Sequence, residues 1–199
     1  MAIHGYRAWA HALFGSLALI ANGVAAQQPP VTQLQYSADI GANIVGVGRF
    51  AARRDYVIDD TLGTRLRVTI PGLPDRVNLT DFQIDTSNAV LFTVDSGVNL
   101  AGTYYRAGDV IGYANGVYSR AFDATLAGVP RDVVCDGVAR SGATGALLLS
   151  FNHAFTVGAS VVRPADVIAY SGGVFGAKVL DAQALWLSAR LNVDAVDGI

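Results

Sequence analysis

Glutamate is absent from this 199-residue chain, lysine occurs once, as Lys178, and cysteine once, as Cys135. Glutamate and lysine are the usual surface residues of helices, whereas all sixteen acids here are aspartate, which favours turns and caps. A single cysteine excludes an internal disulfide, so the fold must stand on its core. Three His and one Cys leave few ligands for a zinc site. Only 15% of residues are charged and the formal net charge is −2, which excludes a polybasic nucleic-acid binder and argues against disorder. What remains is 52% hydrophobic with 22 Gly, the composition of a turn-rich β protein long enough to bury a core.

The first 26 residues read as a secretory signal peptide. Arg7 supplies the positive n-region, Ala8–Ala21 is a mostly apolar stretch of 14 residues, and Gly23-Val24-Ala25-Ala26 supplies the small residues of a cleavage site between Ala26 and Gln27. Fourteen residues fall short of the roughly 20 needed to span a bilayer. Cleavage removes Arg7, two of the three histidines and the methionine, and moves the net charge from −2 to −3. Residues 27–33, with Pro29 and Pro30, read as a linker to a single domain over 34–199.

Internal repetition is the most informative pattern. Placing Ala89 onward over Ala146 onward, 57 residues later, matches nine of the first 33 positions without a gap. Leu91 falls on Leu148, Arg106 on Arg163, Asp109-Val110-Ile111 on Asp166-Val167-Ile168, and Tyr113 on Tyr170. One inserted residue then aligns Asp123-Ala124 with Asp181-Ala182 and Asp136 with Asp194. A weaker upstream copy carries Thr69-Ile70-Pro71-Gly72 against Thr125-Leu126-Ala127-Gly128. The units run 34–90, 91–147 and 148–199.

Each unit reads as four short strands. Ala89–Val94 is a continuous apolar run of the buried type, and Asn115-Gly116 between Val110–Tyr113 and Val117–Phe122 suits a type I′ hairpin turn. The fourth strand is expected at Val133–Val138, with counterparts at Val77–Ile84 and Leu191–Val196. Only Ala182–Leu191 allows a helical turn. The expected fold is all-β, three tandem four-stranded repeats, arranged either as propeller blades or as a pseudo-threefold trefoil- or prism-like body.

The runs Phe122-Asp123, Gly145-Ala146-Leu147-Leu148-Leu149-Ser150-Phe151, Pro164-Ala165-Asp166-Val167-Ile168-Ala169-Tyr170 and Asn192-Val193-Asp194-Ala195-Val196 resemble repeats of uncharacterised secreted bacterial β-repeat proteins, which carry Leu-Leu-Leu-Ser and Asp-x-Asp-Ala type runs. The resemblance implies an exported β-repeat protein and no particular activity. The acidic run of that pattern is reduced here to Asp166, which weakens any shared metal role.

Catalytic chemistry is thinly represented. After cleavage His153 is the one imidazole, and no Gly-x-Ser-x-Gly elbow accompanies it. Cys135 falls in an expected strand and reads as a buried apolar residue. Asp59-Asp60, Asp81/Asp85 and Asp194/Asp197 make calcium the one ion whose ligand type the chain offers, yet the spacing of a calcium loop is missing and no cofactor is expected. The recurring residues Arg106, Asp109 and Tyr113, with Arg163, Asp166 and Tyr170, form the candidate ligand-binding set, one group per unit. The rival reading makes them corner residues, because features recurring at every unit are usually architectural. The leading expectation is a secreted or periplasmic, non-catalytic protein that binds an unidentified ligand or protein partner, or assembles as a homo-oligomer. Nucleic acid is not expected as a partner, nor is a membrane after cleavage. The alternatives are a small outer-membrane β-barrel and a hydrolase using His153.

Overall fold

The computed structural model describes residues 33–37, 42–44, 48–50, 55–60, 65–84, 89–188 and 191–193, with side chains from Ile70 onward. The expected leader, its Ala26/Gln27 cleavage pair and most of the linker lie outside the described residues. Gln33, assigned to the linker by sequence, is instead the first residue of a strand.

The described chain is all-β, with no helix. The N-terminal sheet contains β1 (Gln33–Ser37), β4 (Asp55–Asp60) and β5 (Arg65–Thr69) in that order, and β2 (Ala42–Ile44) and β3 (Gly48–Phe50) form a small hairpin. The second sheet has four strands, β6 (Leu79–Ile84), β7 (Val90–Val94), β10 (Val110–Ala114) and β11 (Val117–Phe122), with a hairpin of β8 (Val98–Leu100) and β9 (Thr103–Tyr105) between its middle strands. The third repeats this plan: β12 (Cys135–Arg140), β13 (Leu147–Phe151), β16 (Val167–Ser171) and β17 (Val174–Leu180), with the hairpin β14 (Phe155–Val157) and β15 (Ser160–Val162). Every pairing is antiparallel.

Two expectations need correction. The small hairpins β8–β9 and β14–β15 add two strands that the four-strand reading omitted, because three-residue strands carry too little periodicity to register. In addition, the strand expected to close each sequence unit opens the next sheet: β6 pairs with β7, and β12 with β13. The sequence period and the sheets are therefore out of phase by one strand. The residues from Ala182 form successive turns closed by Leu185 N–H to Asp181 O and Leu187 N–H to Ala182 O, and no helix.

The hairpin chemistry follows the sequence closely. Asn115 and Gly116 have φ of +51° and +80°, and Gly172 and Gly173 have +59° and +85°, the paired positive angles of a type I′ turn. Registers agree as well: Phe92 faces Ile111 and Val90 faces Tyr113, just as Leu149 faces Ile168 and Leu147 faces Tyr170.

Two apolar clusters hold the sheets together. One joins Ile70, Leu73 and Val77, from the segment before β6, to Phe92, Val94, Leu100, Tyr105 and Ile111. The other joins Val129 and Val133, from the segment before β12, to Phe151, Phe155, Val162 and Ile168 of the third sheet. Each connecting segment is thus buried against the sheet that follows it. Burial falls across a sheet, from β12, buried from Cys135 to Ala139, to β17, which has no buried residue.

The opening strands β6 and β12 meet through side chains. The outer amides of β12 donate to β6 side chains, Val138 N–H to Asp81 Oδ2 at 2.7 Å and Arg140 N–H to Gln83 Oε1 at 2.7 Å. Thr80 donates its hydroxyl to Cys135 O at 3.1 Å. These bonds satisfy edge groups that would otherwise template pairing with another chain.

Candidate functional site

The candidate residues fall into two corners, one before each β10/β16 strand. Asp109 is buried. Its Oδ2 accepts Arg106 N–H at 2.9 Å, its Oδ1 accepts Ala124 N–H at 2.9 Å, and Arg120 Nε lies 3.3 Å from Oδ2. Asp166 is buried in the same way. It accepts Arg163 N–H at 2.8 Å and Ala182 N–H at 2.9 Å, and Lys178 Nζ lies 2.8 Å away. The turn that follows is capped by a second aspartate. Asp123 Oδ1 accepts Thr125 and Leu126 N–H, and Asp181 Oδ1 accepts Gln183 and Ala184 N–H, the usual aspartate turn chemistry.

The Arg–Asp pairs read from sequence therefore meet through the arginine backbone, and the ionic partners are residues the sequence reading missed, Arg120 and Lys178. The signal was present. Lys178 is the only lysine, and it stands 58 residues after Arg120 once the inserted residue is placed in the irregular pairing of β16 with β17. Both cations also bridge to the capping aspartate, Arg120 Nη1 to Asp123 at 2.8 Å and Lys178 to Asp181 at 3.6 Å. Burial pushes the Asp123 carboxyl up, but the Leu126 and Thr125 amides and Arg120 outweigh it and hold the group below its usual range. The Ala184 amide leads a similar lowering of Asp181, opposed by burial and reinforced by Lys178 and the Gln183 amide.

The arginine guanidinium groups diverge. Arg106 reaches Thr125 Oγ1 at 2.8 Å and Pro130 O at 2.7 Å, tying down the connecting segment. Arg163 instead lines an open cleft of about 460 Å³ with Ser160, Lys178, Asp181 and Gln183. Tyr113 and Tyr170 are not exposed stacking platforms. Tyr113 packs on Tyr118 with ring centroids 4.7 Å apart, and Tyr170 packs edge-on to Phe122 at 4.7 Å and Phe175 at 5.2 Å. Tyr118 donates its hydroxyl to Pro71 O; burial, followed by Tyr113 and Tyr105, raises its pKa to about 12. The six candidate residues are not gathered around one cavity.

His153 is exposed in the turn between β13 and β14. Cys135 is fully buried, and burial, with the charges of Asp136 and Asp81, pushes its thiol well above the ordinary value, which makes it a poor nucleophile. Among the described residues, no three His, Cys or Asp side chains converge as a metal site. Asp81 holds the Val138 amide, while Asp85, Asp194 and Asp197 lie outside the described residues. No described helix is long and apolar enough to cross a membrane, and the strands lie in separate sheets. No protein-family model matches the chain, and no curated protein or solved structure matches it.

Proposed function

We propose that the chain is an exported, non-catalytic β-repeat protein of three tandem units that works in the periplasm or outside the cell by binding a ligand or protein partner, or by self-assembly. The observation that carries this reading is the pair of buried corners. Asp109 and Asp166 make the same backbone and ionic bonds at matching positions, which spends the recurring charged residues on architecture. The propeller-like arrangement is preferred to a trefoil or prism because burial declines steadily from the opening strand to the closing strand of a sheet. The signal-peptide layout supports export.

The test is a thermal melt of residues 27–199, purified without detergent, against divalent metals and common glycans, together with a measurement of native mass. A ligand at a hundred times its dissociation constant adds about 2.7 kcal/mol and raises the melting temperature by a few degrees. A ligand shift or a stable oligomer supports the reading. A monomer that responds to nothing, or turnover abolished by His153→Ala, overturns it.

A further inference from the structure

The segment after Lys178 carries the bonds of its counterpart without the burial. Val193 N–H donates to Pro164 O at 3.0 Å, as Cys135 N–H donates to Ala107 O at 3.1 Å. The Val193 carbonyl accepts the Ser150 hydroxyl at 2.7 Å, as the Cys135 carbonyl accepts that of Thr80. Asn192 Nδ2 adds a bond to Asp136 Oδ2 at 2.9 Å. Val193 thus stands where Cys135 stands, at the start of an opening strand. Residues 194–199 continue from it with Asp194 and Val196 in place of Asp136 and Val138.

Burial points the same way. Leu73, Val129 and Leu187 are equivalent, as are Val77, Val133 and Leu191. The first two of each set are no more than 4% exposed, whereas Leu187 is 41% and Leu191 46% exposed. Val129 and Val133 are covered by Phe151, Phe155 and Val162 of the following sheet. Trp186, beside Leu187, is 94% exposed and lines a groove with Ala165 and Ala182.

The complementary deficit lies at the other end. β1 begins 57 residues before β7 and 114 before β13, and each of those strands lies between an opening strand and its β10 or β16 partner. Among the described residues β1 pairs with β4 alone. Cross-strand register puts Tyr56 and Val68, and Ile58 and Leu66, on one face of that sheet.

We propose that residues 194–199 of one copy add as the opening strand beside β1 of a second copy, whose β1–β4–β5 sheet then covers Leu187 and Leu191. The inference rests on the repeat reading above. It favours a second copy over the same chain because propellers close with four to eight blades. Three sheets fall short, and two copies joined by reciprocal exchange supply six with twofold symmetry.

The test uses the full 199-residue chain as its host processes it, with Gln35→Cys and Val196→Cys placed at the counterparts of the facing pair Leu149 and Val138. The expected result is a dimer by light scattering that becomes covalent on oxidation, with Leu191→Arg shifting the unlinked protein to monomer. A monomer carrying an internal disulfide overturns the exchange, since the strand then comes from its own chain. A monomer with both thiols free also overturns it, including one that retains residues 22–27 in the opening-strand place. If the cysteine variants fail to fold, the mass of the unaltered chain decides alone. A monomer whose melt still responds to a ligand overturns the exchange and leaves the binding reading standing, whereas a monomer with no ligand response removes both.

Discussion

The connecting segments 123–135 and 181–193 share a scaffold and differ in what covers it. In both, an aspartate caps the first turn, a backbone bond closes it from Val129 to Ala124 or from Leu187 to Ala182, and the segment ends on a bond to residue 107 or 164. Yet Val129 and Val133 are buried where Leu187 and Leu191 are half exposed. The turn conformation is therefore encoded locally, by aspartate and backbone bonds, while burial is supplied by the next sheet. A turn of this kind forms whether or not its neighbour has arrived, which suits units joined in series.

The strongest way to break the comparison is at the shared corner. Asp109→Ala and Asp166→Ala each strip two buried amides and a cation of their acceptor, so each is expected to cost about 3–5 kcal/mol in denaturant melts. A large loss at one corner and none at the other would end the equivalence. The second test separates scaffold from cover. Leu73→Ala, in the filled core, should cost about 2–5 kcal/mol. Leu187→Ala should cost under about 0.5 kcal/mol in dilute protein, where nothing covers it, and more as concentration rises. Equal losses at every concentration would mean that Leu187 is already buried within one chain.

A smaller effect is expected at Trp186. Its φ of +57° falls where the counterpart positions carry Gly72 and Gly128, at +71° and +78°. An L-residue there bears about 1–2 kcal/mol of strain, so Trp186→Gly should raise the melting temperature of the monomer slightly while weakening any association that uses the indole. The smallest effect concerns acid. Asp123 has its folded pKa lowered, so its contribution is present above the unfolded value and fades as pH falls through the folded one. Asp123→Asn should flatten the acid limb of a stability profile below about pH 4 and leave neutral pH little changed.

Much of this was legible in the residues. Asn115-Gly116 and Gly172-Gly173 announced their hairpins because few sequences tolerate two successive positive φ angles. The spacing of Asp109 and Asp166 marked equivalent positions. The pairing of Asp109 with Arg120, and of Asp166 with Lys178, was hidden because it crosses a hairpin whose irregular register shifts the alignment by one residue. The transfer of β6 and β12 to the following sheet was hidden too, since a strand's periodicity states which face is buried and not which neighbour it joins. Tyr113 and Tyr170 read equally well as ligand platforms or packing residues, and only their ring contacts decide for packing.

The central claim is that 181–193 is the same element as 123–135, lacking only its cover. Native-state amide exchange tests it most directly, comparing Leu191 and Val193 with Val133 and Cys135 across a range of protein concentrations. The account expects Val133 and Cys135 to be protected throughout, and Leu191 and Val193 to gain protection toward theirs as concentration rises. Fast exchange at Leu191 and Val193 at every concentration, with Val133 and Cys135 protected, would contradict it.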